Sequence, residues 1–535
     1  MLERVIENWL DKSSERSFEV PFCHMLAAEG HTIIHMTRHS SLEFGKDILT
    51  IDKDGKPCAF QLKSAKKISI KEWRKINSQV FDLVTQPIDH PSINTDEHHK
   101  SYLVTNGILD EEVSIAINSL NRGWKNKGFP HFKLETIVKG EILKKANNLG
   151  TNLWPDELED IKILVDLMFE TGTDPFPISK LSILLEELFT FEKLKNGHSP
   201  TKARCGREIS SGALLCSLAT RSFTEKKNYI AEIEAWILYI AYVLGLATRW
   251  NLPSSLWKGE IEIAKKTIYN SLIELYKECE SREHFVEGHA LVDQPFYNIR
   301  FTMIISMLSI LGLWRIKNKI EENEIDDFIR KFCLANIDKL YLWGEAATPQ
   351  LLAFHWYYKT VEATRRPDFL LRDLIKLMCS ANKPRGKGRL ANPYYGAEEV
   401  VSHIEGIAKN PIEESFAGYS YTLESLLHIF VRRNFKQEVK YLWPDFTKLM
   451  KVELILNRKW HFFLRRSKSG TQKVSSPNPT QDWNKLRDSA LESEGKCIPN
   501  LLINEPIILL LILWIYPHRV NSQIVRWLDS IMINQ

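Results

Sequence analysis

The stretch EFGKDILTIDKDGKPCAFQLKSAKK, residues 43–67, carries three side chains whose types and spacing suit one chemistry. Asp47 opens one apolar run, and Gln61 and Lys63 end the next. Alternation along a strand puts Gln61 and Lys63 on one face. A hairpin between the two runs brings that face beside Asp47. A carboxylate, an amide oxygen and an ammonium then meet at one sheet edge, which is the set that phosphodiester hydrolysis needs. A hard divalent cation takes oxygen ligands, here Asp47 and Gln61 with main-chain carbonyls and water. Lys63 orients or deprotonates the attacking water and offsets the negative charge that develops. Glu19, early in a preceding helix, supplies a further carboxylate to the metal or its water shell.

The elements that must position these residues are legible around them. Ser17 is placed to cap a helix whose apolar residues Phe18, Phe22, Met25 and Leu26 recur at helical spacing, with Pro21 in its first turns and Gly30 at its stop. His31 to Met36, Asp47 to Ile51 and Cys58 to Lys63 read as strands, the last two joined by the hairpin signal KDGKP. A helix follows with Ile70, Trp73, Ile76, Val80 and Val84 on one face and Lys71, Arg74 and Lys75 on another. Tyr102 to Thr105 reads as a strand, Asp110 as the cap of a helix bearing Val113, Ile117 and Leu120, and Phe132 to Val138 as a last strand. Helix, three strands, helix, strand, helix, strand is an α/β order.

From about Leu153 the period becomes helical. The expected fold is therefore an α/β N-terminal domain over residues 1–147, a large all-α regulatory or interaction region over 148–465, and a C-terminal helical segment over 482–535. Three stretches read as loops: 196–212, 383–396 and 466–481, each rich in Gly, Pro, Ser or basic residues.

The segments SFEVPFCHMLAAEGHTI, GKDILTI, FQLK and SYLVTNGILDEEVSIAI resemble the PD-(D/E)xK nuclease superfamily, in particular the restriction-endonuclease-like domain of Mrr-type enzymes. That domain carries a helical Glu, a Gly-x-Asp at its second strand and Gln-x-Lys at its third. Those features map onto Glu19, onto Gly45 with Asp47, and onto Gln61 with Lys63. Gln61 stands where the wider superfamily has an acid, and Pro21 is a second departure. The resemblance covers about the first 140 residues. It implies an endonuclease that cuts DNA with Mg²⁺ or Mn²⁺, set in cytoplasmic defence against foreign DNA, often working as a pair of subunits. The helical region would then sense a trigger or dock a protein partner. Two alternatives carry the same residues: a nuclease acting on RNA, and a non-catalytic nucleic-acid-binding scaffold that keeps a nuclease-like fold.

The net charge of +4 excludes a histone-like polycation, so a nucleic-acid surface must come from local clustering. Lys66, Lys67, Lys71, Arg74 and Lys75 follow Lys63 against Glu72 alone and form the candidate phosphate-contact face. Arg385, Lys387 and Arg389 beside Tyr394 and Tyr395, and Arg458, Lys459, Arg465, Arg466 and Lys468 around Trp460, mix charge with aromatic rings, as single-strand-binding surfaces and basic loops both do. His98 and His99 read as loop residues. The eight scattered cysteines form no CxxC pair and suit a reducing compartment. The N-terminus lacks an apolar signal core. The apolar runs 235–247, 301–314 and 507–516 fall short of the roughly 18 residues a membrane helix needs and read as buried helices. No Walker A loop, GxSxG, HExxH or Rossmann glycine pattern is present.

Overall fold

The protein is described from a computed structural model, for residues 2–36, 45–93, 98–149, 158–194, 196–281, 294–320, 323–362, 366–383, 393, 418–465, 470–491 and 498–533. The chain divides into two compact units, Met1–Asn270 and Ser271–Gln535. This boundary differs from the one expected near residue 147, because the helices that follow the α/β elements pack onto them.

The first unit begins with two helices, α1 (Leu2–Lys12) and α2 (Glu15–Ala28). α1 buries Ile6, Trp9 and Leu10 and was not foreseen from the sequence. α2 is capped by Ser14, whose hydroxyl accepts from the Ser17 N–H, rather than by Ser17 itself. Starting the helix three residues early leaves Pro21 in its interior, where it forfeits a main-chain hydrogen bond. Complete burial of Phe18, Phe22, Met25 and Leu26 offsets that loss, at roughly 1.5–3 kcal/mol for each such side chain.

Strands β1 (Thr32–Met36), β2 (Ile48–Ile51) and β3 (Pro57–Lys63) form an antiparallel meander. The two-residue pieces β4 (Lys67–Ile68) and β6 (Ile108–Leu109) pair beside the main sheet. α3 (Ile70–Thr85) carries the chain to β5 (Lys100–Thr105), and α4 (Glu111–Asn126) carries it to β7 (Leu134–Ile137). Both crossovers give parallel pairing, and the five-stranded order is β1-β2-β3-β5-β7. A capping box fixes the start of α3: Ser69 and Glu72 each accept the other's N–H. The alternation of β3 divides its neighbours. Ala59, with Leu49 and Leu103, joins the core beneath α3 and α4. Phe60 faces the other way and meets Phe22 of α2 at 5.7 Å between ring centres.

Helices α5 (Lys139–Leu149), α6 (Leu158–Phe169), α7 (Ile178–Leu188), α8 (Lys202–Glu225), α9 (Tyr229–Trp250) and α10 (Lys258–Ser281) follow. Thr201 caps α8, so the second half of the expected 196–212 loop is helical. α8 lies against α2. α10 is tied to the sheet by Lys266, which donates to the carbonyls of Ile33 and Ile34 at 2.7 and 2.9 Å and so occupies acceptors on the edge strand β1.

The second unit is helical with one small sheet, where an all-α region was expected. It comprises α11 (Gln294–Lys317), α12 (Asn323–Ala335), α13 (Thr348–Val361), α14 (Arg366–Ala381), β8 (Tyr419–Ser420), α15 (Leu423–Arg432), α16 (Lys436–Phe446), β9 (Met450–Leu456), β10 (Gly470–Ser475), α17 (Trp483–Leu491), α18 (Pro506–Ile515) and α19 (Ser522–Ile533). β9 and β10 pair over six residues, which puts a strand inside the stretch 466–481 expected to be loop. Asp529 of α19 accepts from Trp356, Arg432 and Arg433, so the C-terminal helices are part of this unit's core and not a separate segment.

Two apolar helices, Tyr229–Trp250 and Tyr297–Lys317, are longer than the runs that mark them and pass the length and composition test for crossing a membrane. Their apolar windows are 94% and 83% buried inside the protein, which accounts for their composition. Seven cysteines are free and buried, while Cys497 lies outside the described residues.

One buried acid in this unit gives a measurable pH dependence. Glu345, fully buried, accepts from the Ser420 and Thr422 hydroxyls and from the N–H groups of Tyr421 and Thr422 at the start of α15. Burial raises its carboxyl to about 7 against the opposing pull of these donors. A raised acid favours the fold while protonated, so its contribution is complete below about pH 4.5 and is lost as pH rises through about 7. The shift is worth roughly 3 kcal/mol. Burial holds His428 and His518 neutral and gives the opposite trend, so the test is a difference: in urea unfolding between pH 5 and 8, wild-type stability relative to Glu345→Gln should fall as pH rises through about 7.

Candidate active site

The hairpin register assembles three of the four sequence-derived residues. Ile48 pairs with Phe60, and the Asp47 N–H donates to the Phe60 carbonyl at 2.8 Å, so Asp47 stands opposite Gln61. Directly opposed residues share a face, and Lys63 joins them two positions on. This is the face covered by α3.

Asp47 sits one residue before β2, where the β2–β3 ladder runs out. Its Oδ2 accepts from the Leu62 N–H at 2.6 Å and takes the place of the missing main-chain acceptor. Lys63 lies 3.7 Å from Glu15 Oε2 at the N-terminus of α2, with its side chain 22% exposed. The same glutamate accepts from the Ser64 N–H.

Gln61 is 2% exposed. Its Nε2 donates to Gln79 Oε1 of α3 at 3.0 Å, and its buried Oε1 has no hydrogen-bond partner. An orphaned, buried oxygen on the residue that the register sets opposite a carboxylate offers the oxygen donors a hard cation takes. The residues present therefore fit such an ion, although among the described residues no three His, Cys, Asp or Glu side chains gather as a ready-made metal cluster.

Glu19 does not share this face. It is buried on α2, the helix that packs through Phe22 onto Phe60, so the register that unites the other three does not include it.

Three contributors were missed at the sequence level. Glu15 partners Lys63, and Gln79 partners Gln61. Lys46, beside Asp47, is 4% exposed, and burial lowers its ammonium to about 8 while Asp82 on α3 opposes the shift. Gly45 explains why this segment sits so close to α3. It holds φ at +73°, and a Cβ there would meet the Gln79 carbonyl oxygen at 2.7 Å. The GKD spacing was visible in the sequence; the burial of its lysine was not.

Lys66, Lys67, Lys71, Arg74 and Lys75 are all exposed. Lys67 pairs with Asp110 at 2.6 Å. Lys71, Lys75 and Gln79 follow at four-residue intervals on α3, so one row of the helix leads from the basic residues to the Gln61 partner. His99 bonds the Leu83 carbonyl at 2.7 Å, and His98 stacks on His131. Arg458 and Lys459 are exposed at the start of a short 3₁₀ turn (Lys459–Phe463). Arg385, Lys387, Arg389, Tyr394, Tyr395, Arg466 and Lys468 lie outside the described residues. Comparison of the chain with family models, with curated proteins and with solved structures gave no match.

Proposed function

We propose that the N-terminal α/β part is a metal-dependent endonuclease that cuts DNA, and that the helical remainder senses a trigger or docks a partner in defence against foreign DNA. One observation carries the reading: the register that sets Asp47 opposite Gln61 on the Lys63 face, with the Gln61 oxygen buried and unpartnered. Asp47 and Gln61 would hold Mg²⁺ or Mn²⁺. When bound, such a cation supplies positive charge at the scissile phosphate and lowers the pKa of water. Lys63 then orients the attacking water and offsets charge on the phosphoryl oxygens. Lys71 and Lys75 contact backbone phosphates along the α3 row, which sets position rather than sequence preference.

The test is incubation of purified protein with supercoiled plasmid, single-stranded DNA and RNA, each with Mg²⁺ or Mn²⁺. Metal-dependent nicking of plasmid is expected, and RNA as the only substrate cut would reassign the substrate class. Gln61→Glu supplies a charged oxygen at the same place, so it should tighten Mn²⁺ binding while cleavage persists. If Gln61→Glu leaves Mn²⁺ affinity unchanged, residue 61 is not a ligand.

A second reading has its own support. Asp47 is engaged by the Leu62 N–H and Lys63 lies beside Glu15, as in a nucleic-acid-binding platform whose polar residues serve only the fold. Such a platform binds nucleic acid without a divalent cation and cuts nothing.

A further inference from the structure

A carboxamide has one accepting end and one donating end, and only the oxygen ligates a hard cation. A site built on glutamine therefore works only if something decides which end is presented. We propose that Gln79 is a positioning residue that makes this choice, an inference that rests on the metal-dependent reading above. Its Oε1 accepts from Gln61 Nε2 at 3.0 Å, which engages the nitrogen and leaves the buried Gln61 Oε1 as the end without a partner. The main chain of Gln79 packs against Gly45, where a Cβ would lie 2.7 Å from the Gln79 carbonyl oxygen. One residue of α3 thus touches both segments that bear the ligands, the Gly45–Asp47 turn through its main chain and β3 through its side chain. A carboxylate at position 61 would need no such device, because both of its oxygens accept.

The experiment measures Mn²⁺ binding alone, by electron paramagnetic resonance on the full chain, for wild type, Gln79→Lys, Gln79→Glu, Gln61→Glu and the Gln61→Glu/Gln79→Lys pair. Gln79 is exposed, so each substitution at position 79 should melt like its own background, wild type or Gln61→Glu. Gln79→Lys offers a donor, which turns the Gln61 oxygen toward itself and the nitrogen toward the cation. Its Mn²⁺ affinity should fall by roughly 10- to 100-fold, as for other residues that orient a metal ligand. Gln79→Glu still accepts from Nε2 and should bind at least as tightly as wild type. In the Gln61→Glu background the lysine should cost far less, because a carboxylate has no wrong end. An equal loss in both backgrounds would show plain charge repulsion and overturn the proposal, as would Gln79→Lys binding like wild type. Wild type that binds no Mn²⁺ would overturn the metal reading of the site, and this inference with it.

Discussion

Asp47→Ala should reduce Mg²⁺-dependent plasmid cleavage to background, because it removes the one carboxylate that the strand register joins to Gln61. The same change strips the Leu62 N–H of its acceptor, at about 1–3 kcal/mol for an orphaned buried donor. Loss of activity and loss of stability would then coincide. Asp47→Asn separates them. The amide oxygen still accepts from Leu62, so the melting temperature should stay near that of wild type, while the missing charge weakens the hold on a cation and cleavage still fails. Asp47→Asn that cuts at the wild-type rate would remove the carboxylate from the reaction and leave it only its place in the ladder.

Lys63→Ala should lower turnover by on the order of 10²- to 10³-fold, the usual loss when one preorganised charge-stabilising group is removed. Mn²⁺ affinity should hold, since the lysine acts on water and phosphate charge and not on the cation. The variant should also stay folded. The pair with Glu15 is partly exposed at 3.7 Å, and such pairs contribute about 0–1 kcal/mol. Single-turnover rates at saturating metal measure the chemical step directly. A Lys63→Ala rate equal to wild type would remove the lysine from the chemical step and leave it only its pairing with Glu15.

Much of the N-terminal half was legible in the sequence because its signals are local. The short strand-like runs Asp47 to Ile51 and Cys58 to Lys63, joined by the Asp-Gly turn signal, marked a hairpin, and the hairpin set which side chains oppose one another. The apolar row of α3 and its capping pair Ser69 and Glu72 are equally local. Where the reading missed, a longer-range force decided. Ser17 lost the cap to Ser14 because burial of α2 against the sheet and α8 outweighs the loss that Pro21 causes in the helix interior. Gly470–Ser475, which the sequence marks as loop, is a strand because β9 supplies a partner for its backbone.

The sequence by itself determined the hairpin and the residue types at its end, since turn chemistry and alternation act between neighbours. Only the tertiary structure decided what those residues meet. Glu15 reaches Lys63 from 48 positions away, and Gln61 meets Gln79 on the crossover helix α3. Glu260 of α10 pairs with the buried His24 from 236 positions away, and with Lys266 it binds α10 to the α/β elements and moves the unit boundary to Asn270. Burial and orientation belong to these distant contacts: a carboxamide, a lysine or a histidine is the same letter in the sequence whether its polar end is free to turn in water or is held by a partner far along the chain.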